Sequence, residues 1–262
     1  MKIQTVLWDN DNTLVRTEAV AFRVVETVLN GFCRTHGKQF DAVTLQKRYA
    51  GDQMREICVS VFQEHDIPHT PDDLDQLVKA NTAGALTAMG QFAEESPGVS
   101  GVLQQLRDLG IASYVVTSSE IGRVSAGLRK TGLDRFFPAD AIYTVPNSLP
   151  DAGLSATPKP DPAIYNLAIA QRGLDRATTV AIEDSASGVR AAVAAGITVI
   201  GYTGADPLSD SERSAMVQKL DGAGALRIVH DMENLLRTIN TLSHAEAAAH
   251  VKRRLELLNG GR

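Results

Sequence analysis

The chain has 262 residues, a formal net charge of −5, and 44% hydrophobic against 22% charged residues. That length allows one large domain or two modest ones around a substantial core. The acidic balance argues against a nucleic-acid binder, which carries a basic face, and every apolar stretch is interrupted well before the ~20 residues of a bilayer span, so neither nucleic acid nor membrane is an expected partner. The stretch "MKIQTVLWDND" turns charged too early for a secretory signal. Cys33 and Cys58 offer no disulfide framework and are expected as buried apolar side chains of a cytoplasmic protein.

In chain order, the apolar run "TVLW" (5–8) predicts a buried strand, and "DNDNT" follows it directly. Residues 16–96 then show helical periodicity with no convincing strand, over 17–37, 42–50, 54–67 and 71–89. This predicts an inserted all-α domain with hinges near 15–17 and near 94–98, where Pro97 and Gly98 break the pattern. From residue 97 to about 240, strand and helix signals alternate. Apolar runs at 112–117, 141–145, 178–183, 197–202 and 226–230 are short and continuous, as in parallel strands covered on both faces. Between them, helices are expected over 101–110, 122–132, 162–173 and 187–196, and Gly110, Gly132, Gly173 and Gly196 stand where left-handed C-caps belong. The predicted fold is therefore α/β. A doubly wound, mostly parallel sheet forms from 1–15 and 97–240, with the all-α insertion at 16–96 and a C-terminal helix at 241–262. Leu242, Ala245, Ala249, Leu255 and Leu258 fall roughly on one side of that last helix, which is expected to pack on the core.

In such a sheet, ligands bind at the carboxyl ends of the strands. Asp9 and Asp11 end the first predicted strand, Thr117 the second, and Glu183 and Asp184 the "TVAIED" strand, while Lys159 lies in the proline-bracketed loop "TPKPDP". An Asp/Asn cluster after a strand is ordinarily a turn, but two carboxylate pairs, a lysine and a hydroxyl on one sheet edge point to chemistry. Crowded carboxylates raise one another's pKa values. A hard divalent cation, above all Mg²⁺ with its preference for oxygen ligands, relieves that repulsion. With an ammonium group beside it, such a site attracts a phosphoryl dianion, a carboxylate can attack it, and a second carboxylate can move protons.

The segments "DNDNTLV", "VVTS", "KPDPAIY" and "IEDSASGVRAAVAAG", in this order, resemble the four motifs of the haloacid dehalogenase (HAD) superfamily. The helical insertion resembles the C1-type cap of its β-phosphoglucomutase-like and sugar-phosphate phosphatase group. The resemblance implies a HAD-type Rossmann-like core with Asp9 as nucleophile and Mg²⁺ ligand. It makes Asp11 the general acid/base, with its backbone carbonyl on the metal, and Glu183 and Asp184 metal ligands directly or through water. Thr117 would bond the phosphoryl group, and Lys159 would neutralise it and the nucleophile. The expected enzyme is a Mg²⁺-dependent phosphatase of a small phosphorylated metabolite, a sugar or polyol phosphate, working as a monomer or small homo-oligomer.

Asp11 favours phosphate chemistry over dehalogenation, since the dehalogenases of the superfamily lack an acid there. A phosphosugar mutase is the alternative. Against it, Ala21, Met54 and Glu120 stand where β-phosphoglucomutase carries a histidine, an arginine and a lysine. Asn12 replaces the usual glycine, and Asn is the side chain that best tolerates a positive φ. Arg16 replaces a usual aspartate at the first hinge, as a hinge variation or a substrate contact. Ser118 is a candidate phosphate contact through its N–H, or a cap for the next helix, and Ser119 shares that ambiguity. Gly51 and Arg55 lie where such caps carry a substrate-specificity loop, with a plain cap-helix surface as the other reading. The six histidines show no metal-ligand spacing.

Overall fold

The computed structural model describes residues 2–49 and 52–259, and divides into two compact units. One comprises Met1–Val15 with Glu95–Arg262, the other Arg16–Glu94.

The first unit is built on six strands, β1 (Thr5–Trp8), β2 (Ala112–Thr117), β3 (Ile142–Thr144), β4 (Thr179–Glu183), β5 (Thr198–Tyr202) and β6 (Arg227–Val229). They form one sheet in the order β3-β2-β1-β4-β5-β6, with every pairing parallel. This is a doubly wound sheet, with β1 at its centre between β2 and β4. Leu7 enters the main core cluster with Val116, Tyr165, Ala181, Val189 and Val199. Its neighbours Val6 and Trp8 point to the opposite face by strand alternation and are equally buried, so both faces are covered.

The second unit consists of α1 (Thr17–Cys33), α2 (Ala42–Tyr49), α3 (Met54–Glu64) and α4 (Pro71–Phe92). Its core joins Phe22, Val25 and Leu29 of α1 to Leu45, Ile57, Phe62 and Leu74. Both cysteines lie in this core, and burial pushes the Cys58 thiol up to about 11. Thr70 and Asp73 close a reciprocal capping box that starts α4.

The first unit carries the remaining helices, α5 (Val99–Asp108), α6 (Ile121–Thr131), α7 (Val145–Asp151), α8 (Ala163–Arg172), α9 (Ala186–Ala194), α10 (Asp210–Ala223), α11 (Met232–Thr241) and α12 (His244–Asn259). Gly110, Gly132, Gly173 and Gly196 all adopt positive φ, as their positions after helices predict.

Several elements depart from the sequence reading. The apolar run at 141–145 yields a three-residue strand, because Val145 already begins α7 with Pro146 in its first turn. Helices α10 and α11 lie where the sequence pattern predicts no helix. Leu220 is the fully buried residue of α10, whose mostly polar sequence hides the periodicity. Of the expected stripe, Leu242 is buried just ahead of α12, but Ala245 and Ala249 are exposed, and among the described side chains of α12 the buried ones are Ala247 and His250. His250 Nε2 donates to the Gly224 carbonyl at 2.9 Å, so a buried polar side chain sits where an apolar one was sought. The side chains of Leu255 and Leu258 lie outside the described residues. No described helix is long and apolar enough to cross a membrane.

Candidate active site

The register of the sheet aligns the site. Trp8 pairs with Val115 on one side and Ile182 on the other, so Asp9 stands level with Val116 and Glu183. The Asp9 N–H extends the ladder, donating to the Ile182 carbonyl at 3.0 Å. The chain then turns sharply. The Asn10 carbonyl accepts from the N–H groups of Leu14 and Val15, each at 3.0 Å, and Asn12 takes a φ of 51°. Asparagine thus keeps the left-handed turn that glycine would make freely. Past the turn, Val15 bridges Glu95, and within the helical unit Arg16 Nη1 pairs with Glu94 Oε2 at 2.8 Å. Arg16 therefore joins the two ends of that unit to each other.

Lys159 is the centre of the site. Its Nζ donates to Asp9 Oδ1 at 2.6 Å, Glu183 Oε1 at 2.7 Å and the Val116 carbonyl at 2.8 Å, and it sits 5.1 Å over the Tyr165 ring. Burial works against its charge, but the two carboxylates outweigh that and hold its pKa above the ordinary lysine value. Asp9 behaves oppositely. Burial, with Glu183 and Asp11 nearby, outweighs Lys159 and raises the Asp9 carboxyl to about 7. Asp184 is raised well above the usual range by burial first and then by Asp9, Glu183 and Asp11. One carboxylate oxygen each from Asp9, Glu183 and Asp184 lies within 4.8 Å of the others. Such a set of hard oxygen donors, held close at a cost in ionisation, fits a divalent cation.

Glu183 is fully buried and tightly partnered. Besides Lys159 it accepts from Tyr165 Oη at 2.5 Å, and Ser185 Oγ lies 3.4 Å from its other oxygen. Burial and the neighbouring carboxylates push the Tyr165 pKa well up, which keeps its phenol protonated as a donor.

The Asp11 carboxylate turns to the end of β2, the loop after it and the first turn of α6. Arg123 Nη2 donates to Oδ1 at 2.5 Å, Ser119 Oγ to Oδ2 at 2.6 Å, and Thr117 Oγ1 reaches Oδ2 at 3.5 Å. Thr117 Oγ1 also accepts from the Ser119 N–H at 3.1 Å. Ser118 is exposed, and its Oγ accepts from the Lys159 N–H at 3.2 Å rather than capping α6, whose N-cap position is Glu120.

The structure thus brings Asp9, Asp11, Thr117, Ser118, Lys159, Glu183 and Asp184 to one sheet edge. Arg55 lies in the other unit, on α3, where its guanidinium pairs with Asp75 of α4. Gly51 lies outside the described residues. Two groups of the constellation had been given no role from sequence, Tyr165 and Arg123. Tyr165 sits inside a quoted motif. Arg123 is a basic residue in the first turn of a helix, a position that opposes the helix dipole and is itself a signal.

A family model for haloacid dehalogenase-like hydrolases matches residues 3–196. A phosphorylated carbohydrates phosphatase of Thermotoga maritima is 26% identical over 239 residues, covering 90% of this chain and 100% of that protein. The 6-phosphogluconate phosphatase of Escherichia coli is 24% identical over 207 residues, with 79% and 85% covered. Among solved structures, a HAD family hydrolase from Deinococcus radiodurans, determined with bound phosphate and sodium, superposes with a TM-score of 0.69 at 27% identity, covering 92% of this chain and 99% of that one. The chain belongs to the haloacid dehalogenase-like hydrolase family.

Proposed function

We propose that this hydrolase is a Mg²⁺-dependent phosphatase that cleaves a sugar or polyol phosphate through a phosphoaspartate on Asp9. At the coarser level it is a phosphoric monoester hydrolase, as its phosphatase relatives in the family are named. The observation that carries the finer reading is the buried Lys159 ammonium, shared between Asp9 and Glu183 beside a third carboxylate, Asp184.

The cation would be held by Asp9, Glu183, Asp184 and the Asp11 backbone carbonyl, and when bound it supplies positive charge for the phosphoryl oxygens. Asp9 attacks phosphorus, forming an acyl phosphate as the bond to the leaving oxygen breaks. Lys159 favours the ionised form of Asp9 against burial and balances the transferring phosphoryl. Asp11 gives its proton to the leaving oxygen, then takes one from the water that attacks the phosphoaspartate, which frees the Asp9 carboxylate. Thr117 and the Ser118 N–H hold the phosphoryl oxygens. In the helical unit, Gly51 and Arg55 belong to the substrate-selecting part. The names of the relatives support a phosphorylated carbohydrate as the substrate class. Ala21, Met54 and Glu120 support hydrolysis over intramolecular transfer, since none can grip a second phosphate.

The test is Asp9→Asn, assayed on p-nitrophenyl phosphate and a panel of sugar and polyol phosphates with Mg²⁺. Activity should fall to background on all of them, and retention of wild-type turnover would overturn the nucleophile assignment. Isomerised sugar phosphate in place of released phosphate would overturn hydrolysis.

A further inference from the structure

Arg123 is the third residue of α6, and no acidic residue accompanies it in that first turn. A cation at a helix N-terminus faces the positive end of the dipole, so helix stability does not account for it. Nor does packing, because its Nε is buried without a hydrogen-bond partner, a cost that an apolar side chain would avoid. What the guanidinium gains is Asp11, through Nη2 to Oδ1 at 2.5 Å, while Ser119 fixes the other oxygen at 2.6 Å. A carboxylate with two rotatable bonds, on a turn beyond a strand end, is thereby held to one orientation from both sides.

We propose that Arg123 is the positioning residue for Asp11, acting with Ser119 to aim the carboxyl at the oxygen that leaves phosphorus. This rests on the reading of Asp11 as the general acid/base. In the first step the bond from Asp9 to phosphorus forms, the bond from phosphorus to the ester oxygen breaks, and the proton of Asp11 goes to that oxygen. An alkoxide leaving group needs that proton, whereas p-nitrophenolate departs without it. Orientation of Asp11 therefore matters in proportion to the basicity of the leaving group, and small misplacements carry large rate penalties.

The experiment measures the first turnover by rapid quench with Mg²⁺ at one pH, following alcohol released from glycerol phosphate and p-nitrophenol released from its phosphate. Arg123→Met, Arg123→Lys and Asp11→Asn are compared with the parent enzyme. Arg123→Met should slow the alkyl ester about ten- to a hundredfold, at least tenfold more than the aryl ester, with little change in KM. Arg123→Lys should recover part of the rate, and Asp11→Asn should show the same selectivity more strongly. If Asp11→Asn is selective while Arg123→Met slows both esters equally, or neither, the positioning role is overturned and the acid assignment stands. If Asp11→Asn is itself unselective, the acid assignment falls and the proposal with it. Should Arg123→Met fail to fold, Arg123→Lys carries the same test: it keeps the charge and loses the planar fork. A loss equal on both esters overturns the proposal.

Discussion

A deeply buried ammonium must spend all three protons on acceptors, and Lys159 does so on Asp9, Glu183 and the Val116 carbonyl. Two of those acceptors are charged, which makes the lysine both a neutraliser and a clamp that fixes the distance between β1 and β4 at the site. Glu183 in turn needs more than one donor, and Tyr165 supplies the second to the same oxygen. Tyr165→Phe removes that hydrogen bond and leaves the ring and its packing in place. A hydrogen bond to a buried charged group is worth roughly 1.5–3 kcal/mol, so urea unfolding of the variant should show a lower midpoint with an unchanged slope. A midpoint equal to that of the parent would mean that Glu183 is satisfied by Lys159 alone.

The start of α9 shows how an element is shaped by the site it serves. Ser185 caps the helix by accepting from the Gly188 N–H at 3.1 Å, and the carboxylate of Glu183 folds back against the first turn. A Cβ at Gly188 would overlap that carboxylate. Gly188 is thus required by the close approach of Glu183, although a mid-turn glycine weakens a helix. Gly188→Ala should therefore destabilise the protein by about 1–3 kcal/mol, as overpacking does, and raise the Mg²⁺ concentration needed for half-maximal activity. Both would be read by calorimetry and a metal titration, and a variant as stable as the parent would refute the steric argument. The same helix illustrates what sequence makes legible. Apolar periodicity and a glycine stop define α5, α6, α8 and α9 in the sequence alone. Helix α10 has a capping box at Ser209 and Glu212 but buries little, so its start could have been found and its periodicity could not. On α12, small alanines on several sides leave the buried face undefined until Ala247 and His250 meet β5 and Gly224.

Across the whole molecule, the convergence of these residues was legible wherever it follows from a place at a strand end, as for Asp9, Thr117 and Glu183. Contacts made between distant segments were not, because nothing local ties Arg123 to Asp11 or Tyr165 to Glu183. The charge balance of the site nonetheless couples it to the stability of the fold. The Asp9 carboxyl is raised from 3.8 to about 7, by burial first and by its acidic neighbours next, and Asp184 moves the same way. Below pH 3.8 the folded and unfolded chains both carry the proton, and the fold bears no cost from it. Between 3.8 and about 7 the unfolded chain ionises while Asp9 stays protonated, so through this group the metal-free fold loses stability as pH rises, and above about 7 the Asp9 share of the loss levels off. A divalent cation binds the ionised carboxylates and must displace that proton, so its stabilisation grows over the same window. The melting temperature with excess Mg²⁺ should therefore exceed that with a chelator by a margin that is small at pH 5 and larger at pH 8. Asp9→Asn, which removes both the titrating carboxyl and a proposed metal ligand, should shrink that margin and flatten its pH dependence. A margin equal at both pH values in the parent protein would show that Asp9 ionisation and cation binding are not linked.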